Sequence, residues 1–232
     1  MKKTLLSLSI ALLSVTSVNA TELKTTTQKA SYALGSDMAK NFVRQGVEID
    51  TNALLAGFED VINHNKLQLS AKEMQQAVLD VKKMIIAKME KEKAIEGQKN
   101  LEKGQKFLTQ NKTKKGVKTL DSGLQYIVKK TGKGEFATEE DFLIAHYRGT
   151  LIDGTEFDSS YARGTPIDFQ MNNVIKGWGE ALKRMQPGAK WTIFVPPHLA
   201  YGKKGAGKLI GPNETLIFDI ELITVTKTKH SE

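Results

Sequence analysis

Apolar residues recur along the chain with two different periods, and the change of period divides it. From Thr27 to about Gln45, Ala30, Ala33, Leu34, Met38 and Phe42 fall at helical steps and form one apolar stripe. Asp50 is placed to cap a second helix with the stripe Leu54, Leu55, Phe58, Val61 and Ile62, which Asn63-His64-Asn65 ends. Ser70 and Glu73 have the spacing of a capping box and open a third helix, where Met74, Val78, Val81 and Ile85 share a face beside Met84 and Met89. Two short helices cannot bury such faces alone. They must pack on each other, on the third helix, or on a second copy of the chain.

After Ile95 the stripe thins to Leu101, Phe107 and Leu108 among Lys, Glu, Gln and Asn. A helix polar nearly all round is a strut through solvent or is unstable. Helical from Ser70 to about Asn111, it would run ~60 Å at 1.5 Å per residue. Gly97 and Gly104 each cost about 1 kcal/mol there, while pairs such as Glu102 and Lys106 return a few tenths. The distal half is therefore expected to bend or fray and to hold two modules apart. Lysine-rich Asn111 to Gly116 reads as the junction.

Beyond it the period shortens towards two. Strands are predicted over Leu124 to Lys130, from Phe142 through a hairpin at Asp153-Gly154, over Ile167 to Gln170, Lys190 to Val195 and Leu216 to Thr226, with a short helix from Val174 to about Met185. Pro187-Gly188 and Pro196-Pro197 punctuate them. Phe157 and Asp158 are neighbours on the strand returning from the hairpin. A period of two sends them to opposite faces unless a bulge intervenes.

Composition changes this picture in three places. Lys2 and Lys3, the apolar run Leu5 to Val15 and Val18-Asn19-Ala20 form a secretory signal peptide, and no later segment has the ~20 apolar residues of a membrane helix. Its removal lowers the formal charge of +8 by the two lysines, to +6. The remaining lysines lie mainly between Lys82 and Lys118, interleaved with Glu90, Glu92, Glu96 and Glu102, which reads as a solvated helix face and disfavours nucleic acid. There is no cysteine, so disulfide and thiol chemistry are excluded. The histidines at 64, 146, 198 and 230 do not pair at metal-ligand spacing, and Gly202 to Gly207 lacks the strand-to-helix setting of a phosphate loop.

The blocks HYRGTLIDGTEFDSSYARGTP, VIKGWGEAL, PPHLAYG and GPNETLIFDIEL, in that order, resemble the FK506-binding-protein family of peptidyl-prolyl isomerases over roughly Lys118 to Thr226. A short helical module, a long helix and this domain behind a signal peptide are similar to the macrophage infectivity potentiator and FkpA branch. The resemblance implies an α+β chain: signal peptide over 1–20, helical dimerisation module over 21–69, connecting helix over 70–115, and over 116–232 an isomerase domain whose antiparallel half-barrel sheet wraps a short helix. It implies a homodimer through the N-terminal helices, envelope localisation in the periplasm or at the outer membrane, and exposed proline-containing segments as substrates. Macrolides of the FK506 and rapamycin type are possible ligands, and no cofactor or metal is implied. A non-catalytic chaperone or surface-interaction protein, of the virulence-associated kind, is the alternative.

The same resemblance implies Tyr147, Asp158 and Tyr201 as catalytic residues. It adds Phe157, Arg163, Ile167, Phe169, Val174, Ile175, Trp178, Ile210 and Phe218 as substrate-binding residues, with Trp178 as the floor beneath the proline ring. From the residues alone, Trp178, Phe218 and Val174 could be ordinary core, Asp158 a cap on the Ser159-Ser160 turn, and Tyr201 a surface residue. Lys176 replaces the branch's usual proline, Ala206 stands where small human relatives carry histidine, and Lys203, Lys204 and Lys208 make the rim basic.

Overall fold

The computed structural model describes residues 22–226. The leader expected over 1–20 lies outside them, as does His230.

The N-terminal unit, through Ile85, is helical. Helix α1 (Thr26–Gln45) is closed at its start by Thr25 and Gln28 in a reciprocal capping box and at its end by Gly46. Helix α2 (Thr51–Ile62) starts where the Asp50 carboxylate accepts from the Asn52 and Ala53 amides at 2.9 and 3.0 Å. Ser70 and Glu73 then open α3 (Ala71–Asn111): Ser70 N donates to Glu73 Oε2 at 2.8 Å and Glu73 N to Ser70 Oγ at 3.3 Å. No described residue of α1 or α2 is buried, and Val43 is 79% exposed. Among the described residues most of the apolar stripe stays exposed, Leu34, Leu55, Phe58, Val61 and Ile62 included, while Met38 and Phe42 are half-buried. No described helix is long and apolar enough to cross a membrane.

The C-terminal unit begins at Ile86 and so includes the distal half of α3. That half does not fray, fraying being one of the two outcomes expected of it. Helix α3 is continuous to Asn111, and its Gly97, Asn100, Gly104 and Asn111 are buried. Asn111 Nδ2 donates to Gln125 Oε1 at 3.0 Å, Gln125 Nε2 donates to the Leu108 carbonyl at 2.8 Å, and the Phe107 ring lies 5.9 Å from that of Phe194. The glycines are there for proximity, because a Cβ on Gly104 would overlap Thr215 Oγ1 and one on Gly97 would come within 3.2 Å of Pro212 Cβ.

The strands are β1 (Lys118–Thr119), β2 (Gln125–Lys130), β3 (Phe142–Leu151), β4 (Glu156–Ser159), β5 (Ile167–Gln170), β6 (Lys190–Val195) and β7 (Leu216–Thr226). They form one antiparallel sheet in the order β1-β2-β6-β7-β3-β4, and β5 also pairs with β3. The sheet wraps the short α4 (Lys176–Leu182), as the resemblance implied. Alternate residues Leu216, Phe218, Ile220 and Leu222 of β7 are buried together with Trp178, Ala181 and Leu182 of α4. Strand β1 has no counterpart among the sequence expectations.

One edge of β3 serves two partners. Arg148 to Thr150 pair with β4, Phe142 to Ala145 pair with β5, and no rung joins His146 or Tyr147 to either strand. The fully buried Ser160 fills that gap: its hydroxyl accepts from Tyr147 N at 2.8 Å and its amide donates to Tyr147 O at 3.0 Å. The excursion from Ser160 to Pro166 leaves the sheet and carries Arg163.

Candidate active site

The hairpin after β3 turns at Asp153-Gly154, where Gly154 has φ 91°, and the β3–β4 register slips immediately beyond it. Gly149 faces Asp158 but Thr150 faces Glu156, so Phe157 is the extra residue of a bulge. The bulge turns Phe157 and Asp158 towards the same cavity despite their adjacency. Room for the Phe157 ring comes from Gly149, since a Cβ there would lie 2.6 Å from Phe157 Cε2 and 2.9 Å from Phe218 Cε1.

That cavity encloses about 380 Å³, within the range of small-ligand sites, and is lined by Tyr147, Phe157, Asp158, Asn173, Val174, Ile175, Trp178, Tyr201 and Phe218. Strand β3 contributes Tyr147, β4 contributes Phe157 and Asp158, β7 contributes Phe218, and α4 contributes Trp178. Val174 and Ile175 lead into α4, where Ile175 is the N-cap residue and its carbonyl accepts from Trp178 N at 3.0 Å.

The indole of Trp178 is the hub, only 4% exposed, with rings set edge-on around it. Tyr147 lies at 5.2 Å and 83°, Phe218 at 5.3 Å and 87°, and Phe169 at 5.7 Å and 67°. Phe157 meets Phe218 at 5.5 Å and 83°. Such edge-to-face pairs contribute about 0.5–1.5 kcal/mol each beyond area burial. They hold the base of the cavity rigid, and the indole Nε1 has no hydrogen-bond partner among the described residues.

The polar side consists of three linked groups. Asp158 accepts from the Tyr147 hydroxyl and from Arg163 Nη1, and Arg163 Nη2 donates to the Tyr147 hydroxyl at 2.9 Å. The Arg163 guanidinium also lies over the Tyr147 ring at 5.6 Å. Burial pushes the Asp158 carboxyl up, but hydrogen bonds from Tyr147 and Arg163 and the guanidinium charge outweigh it and hold the group below the ordinary aspartate range. Burial, and then the hydrogen bond to Asp158, raise the Tyr147 phenol. Burial and then the Asp158 charge raise the Tyr201 phenol, which is 41% exposed at the rim. At neutral pH the site holds a carboxylate and two protonated phenols.

Of the other expected residues, Arg163 stands behind Asp158 and Phe169 behind Trp178. Ile167 and Ile210 pack on the edge of the core and are not among the cavity's walls. Asn173, which lines the cavity, was absent from the sequence reading. It ends the turn Met171–Asn173 just ahead of the recognisable VIKGW block, and its neighbour Asn172 gave no way to choose between them. His146 contacts Ser160 Oγ at 2.9 Å through Nδ1 and stacks on Tyr161 at 4.6 Å, a packed histidine on the opposite face from Tyr147.

Two family models match: FKBP-type peptidyl-prolyl cis-trans isomerase over residues 132–223, and the domain amino-terminal to it over residues 27–128. The chain is 46% identical to the peptidyl-prolyl cis-trans isomerase Mip of Coxiella burnetii, covering 93% of this chain and 94% of that one. It is 43% identical to the outer membrane protein MIP of Legionella longbeachae, covering 90% of each. The crystal structure of FkpA from Escherichia coli superimposes with a TM-score of 0.72 at 37% identity, covering 88% of this chain and 98% of that one. Aromatic cavity, sheet, preceding helices and these likenesses agree, and the chain belongs to the FKBP-type peptidyl-prolyl cis-trans isomerases.

Proposed function

We propose that this isomerase acts on proline-containing segments of exported polypeptides by receiving the proline ring over Trp178 and stabilising the twisted imide with Asp158, Tyr147 and Tyr201. Rotation about an Xaa-Pro bond meets a barrier of about 20 kcal/mol because it breaks amide resonance. The half-turned imide has a less polar carbonyl and a more pyramidal nitrogen than the planar ground state. A water-poor aromatic wall therefore favours it, and differential binding lowers the barrier with no covalent step. Phe157, Val174 and Phe218 would flank the ring, the Ile175 amide and the Tyr201 hydroxyl would donate to substrate carbonyls, and Arg163 would hold Asp158 facing the rotating bond. Ile167, Phe169 and Ile210 would support these walls from behind.

The observation that carries this reading is the convergence of the Phe157, Trp178 and Phe218 rings with the ionised Asp158 in one cavity. Its test is Asp158→Leu. Isomerisation of an Xaa-Pro tetrapeptide and proline-limited refolding should both slow at least about tenfold, with the thermal melt retained. Unchanged rates would sink the assignment.

Export through the segment 1–20, a helical module over 21–69, a connecting helix over 70–115 and an isomerase domain over 116–232 complete the proposal, with residence in the periplasm or at the outer membrane. The uncovered apolar stripes of α1 and α2 favour a homodimer through these helices. They also favour a holding action on large clients by two linked domains, which avidity would strengthen.

A further inference from the structure

The loop that follows Tyr201 is not free. After the turn Gly202–Lys204 it folds on itself through Ala206 and Ile210, whose amides and carbonyls exchange hydrogen bonds at 2.9 and 3.2 Å. Its two ends are joined where Asn213 N donates to the Gly202 carbonyl at 2.8 Å, one residue from Tyr201. Asn213 holds the left-handed φ of 55°, which favours asparagine or glycine.

This closure point is tied to the distal half of α3, more than 90 residues earlier in sequence. Asn213 Nδ2 donates to the Gly97 carbonyl at 3.2 Å, and Asn100, 7% exposed, donates through Nδ2 to the Pro212 carbonyl at 3.0 Å. Gly97 and Gly211 allow the approach, since a Cβ on Gly211 would lie 2.9 Å from Glu96 Oε1 and 3.2 Å from Asn100 Nδ2. Asn100 spends a buried amide donor and Asn213 a half-buried one on main-chain acceptors, so their loss leaves Pro212 O and Gly97 O without these donors and the loop base without its ties to α3.

We propose that Asn213 and Asn100 are positioning residues for isomerisation: through them α3 fixes the loop closure at Gly202 and so holds the Tyr201 hydroxyl over the cavity. Helix α3 is thus a part of the catalytic unit as well as a connector. The inference rests on the substrate-binding role given to Tyr201 above, and the test separates the two.

The test is a double-mutant cycle in the full mature chain, reading kcat/KM on an Xaa-Pro tetrapeptide with Asn213→Gly, Asn100→Ala and Tyr201→Phe, alone and in pairs. Glycine at 213 keeps the left-handed backbone accessible and deletes the side chain that carries the amide. Tyr201→Phe should lower kcat/KM about five- to tenfold, and each asparagine variant about three- to tenfold. In the Tyr201→Phe background the asparagine variants should cost less than about twofold more, because the group they position is gone. Exchange of the Ala206 and Ile210 amides should quicken in the asparagine variants. A general loss of structure would instead lower activity equally in both backgrounds, and that additivity, or no loss at all, overturns the positioning role while leaving Tyr201's role intact. Full activity in Tyr201→Phe overturns Tyr201's role and with it this route. Thermal melts accompany each variant, and if Asn213→Gly does not fold, Asn100→Ala carries the same cycle.

Discussion

Gly149 and Phe157 occupy one space: the ring of Phe157 fills the volume that a side chain at position 149 would need, with 2.6 Å between Phe157 Cε2 and a Cβ built on Gly149. The bulge that turns Phe157 into the cavity and the glycine that admits it are two halves of one device. Gly149→Ala should therefore destabilise the chain by about 1–3 kcal/mol, as overpacking does. It should also lower kcat/KM several-fold by displacing Phe157. Urea unfolding and a tetrapeptide assay check both, and an alanine tolerated without change in either would refute the coupling.

The depressed Asp158 carboxyl fixes the pH response. A carboxyl held below its unfolded value of 3.8 contributes stability that is fully present above that value and lost as pH falls through the lower folded one. Activity should accordingly be flat through neutral pH. Arg163→Leu removes a donor and a charge while burial remains, so the Asp158 titration should move upward and the acid limb of the activity profile with it. Carboxyl-detected NMR across the acid range measures the shift. A titration that stays put would show that Arg163 does not hold Asp158.

On α3, alanine should be worse than glycine, the reverse of helix propensity. Gly104→Ala gains about 1 kcal/mol of intrinsic preference. Against that, the new methyl overlaps the fully buried Thr215 Oγ1. A net loss of about 1–3 kcal/mol is expected, read as a lower urea midpoint at unchanged slope. A gain in stability would mean that the distal helix does not sit on Thr215.

Two fragments separate connector from catalytic unit. A chain starting near Ile86 retains Phe107 on Phe194 and Asn111 on Gln125. It should be monomeric and melt close to the C-terminal transition of the parent, whereas the whole mature chain should sediment as a dimer. A chain starting at Lys112 uncovers Phe194 and unpairs the buried Gln125, at a cost of about 3–5 kcal/mol. Equal melting of both fragments would contradict the packing role of α3.

Much of this was legible because local rules and global fold agree. Ser70 with Glu73, Asp50, Asp153-Gly154 and the alternation Leu216, Phe218, Ile220, Leu222 each mark an element through chemistry within a few residues of itself. The cavity was legible through the four family blocks. What escaped was non-local. Gly97, Asn100, Gly104 and Asn111 look like a solvated strut because small and polar residues carry no apolar periodicity. Their burial depends on Pro212, Thr215 and Gln125, with which they form hydrogen bonds and close backbone contacts. The bulge at Phe157 was equally hidden, because nothing in EFDS says which residue the ladder skips.

The gap in the edge of β3, where Ser160 stands in for a missing rung, has an evolutionary consequence. The segment from Ser160 to Pro166 is held to the sheet by side chains, Tyr161 on His146 and Glu221 and Arg163 on Asp158, and it delivers Arg163 to the carboxylate without contributing a strand. Insertions or exchanges there would move Arg163, and with it the carboxylate it holds, while the strands kept their register. A lineage could retune the polar side of the cavity by editing a handful of codons, leaving the strands and the core beneath them undisturbed.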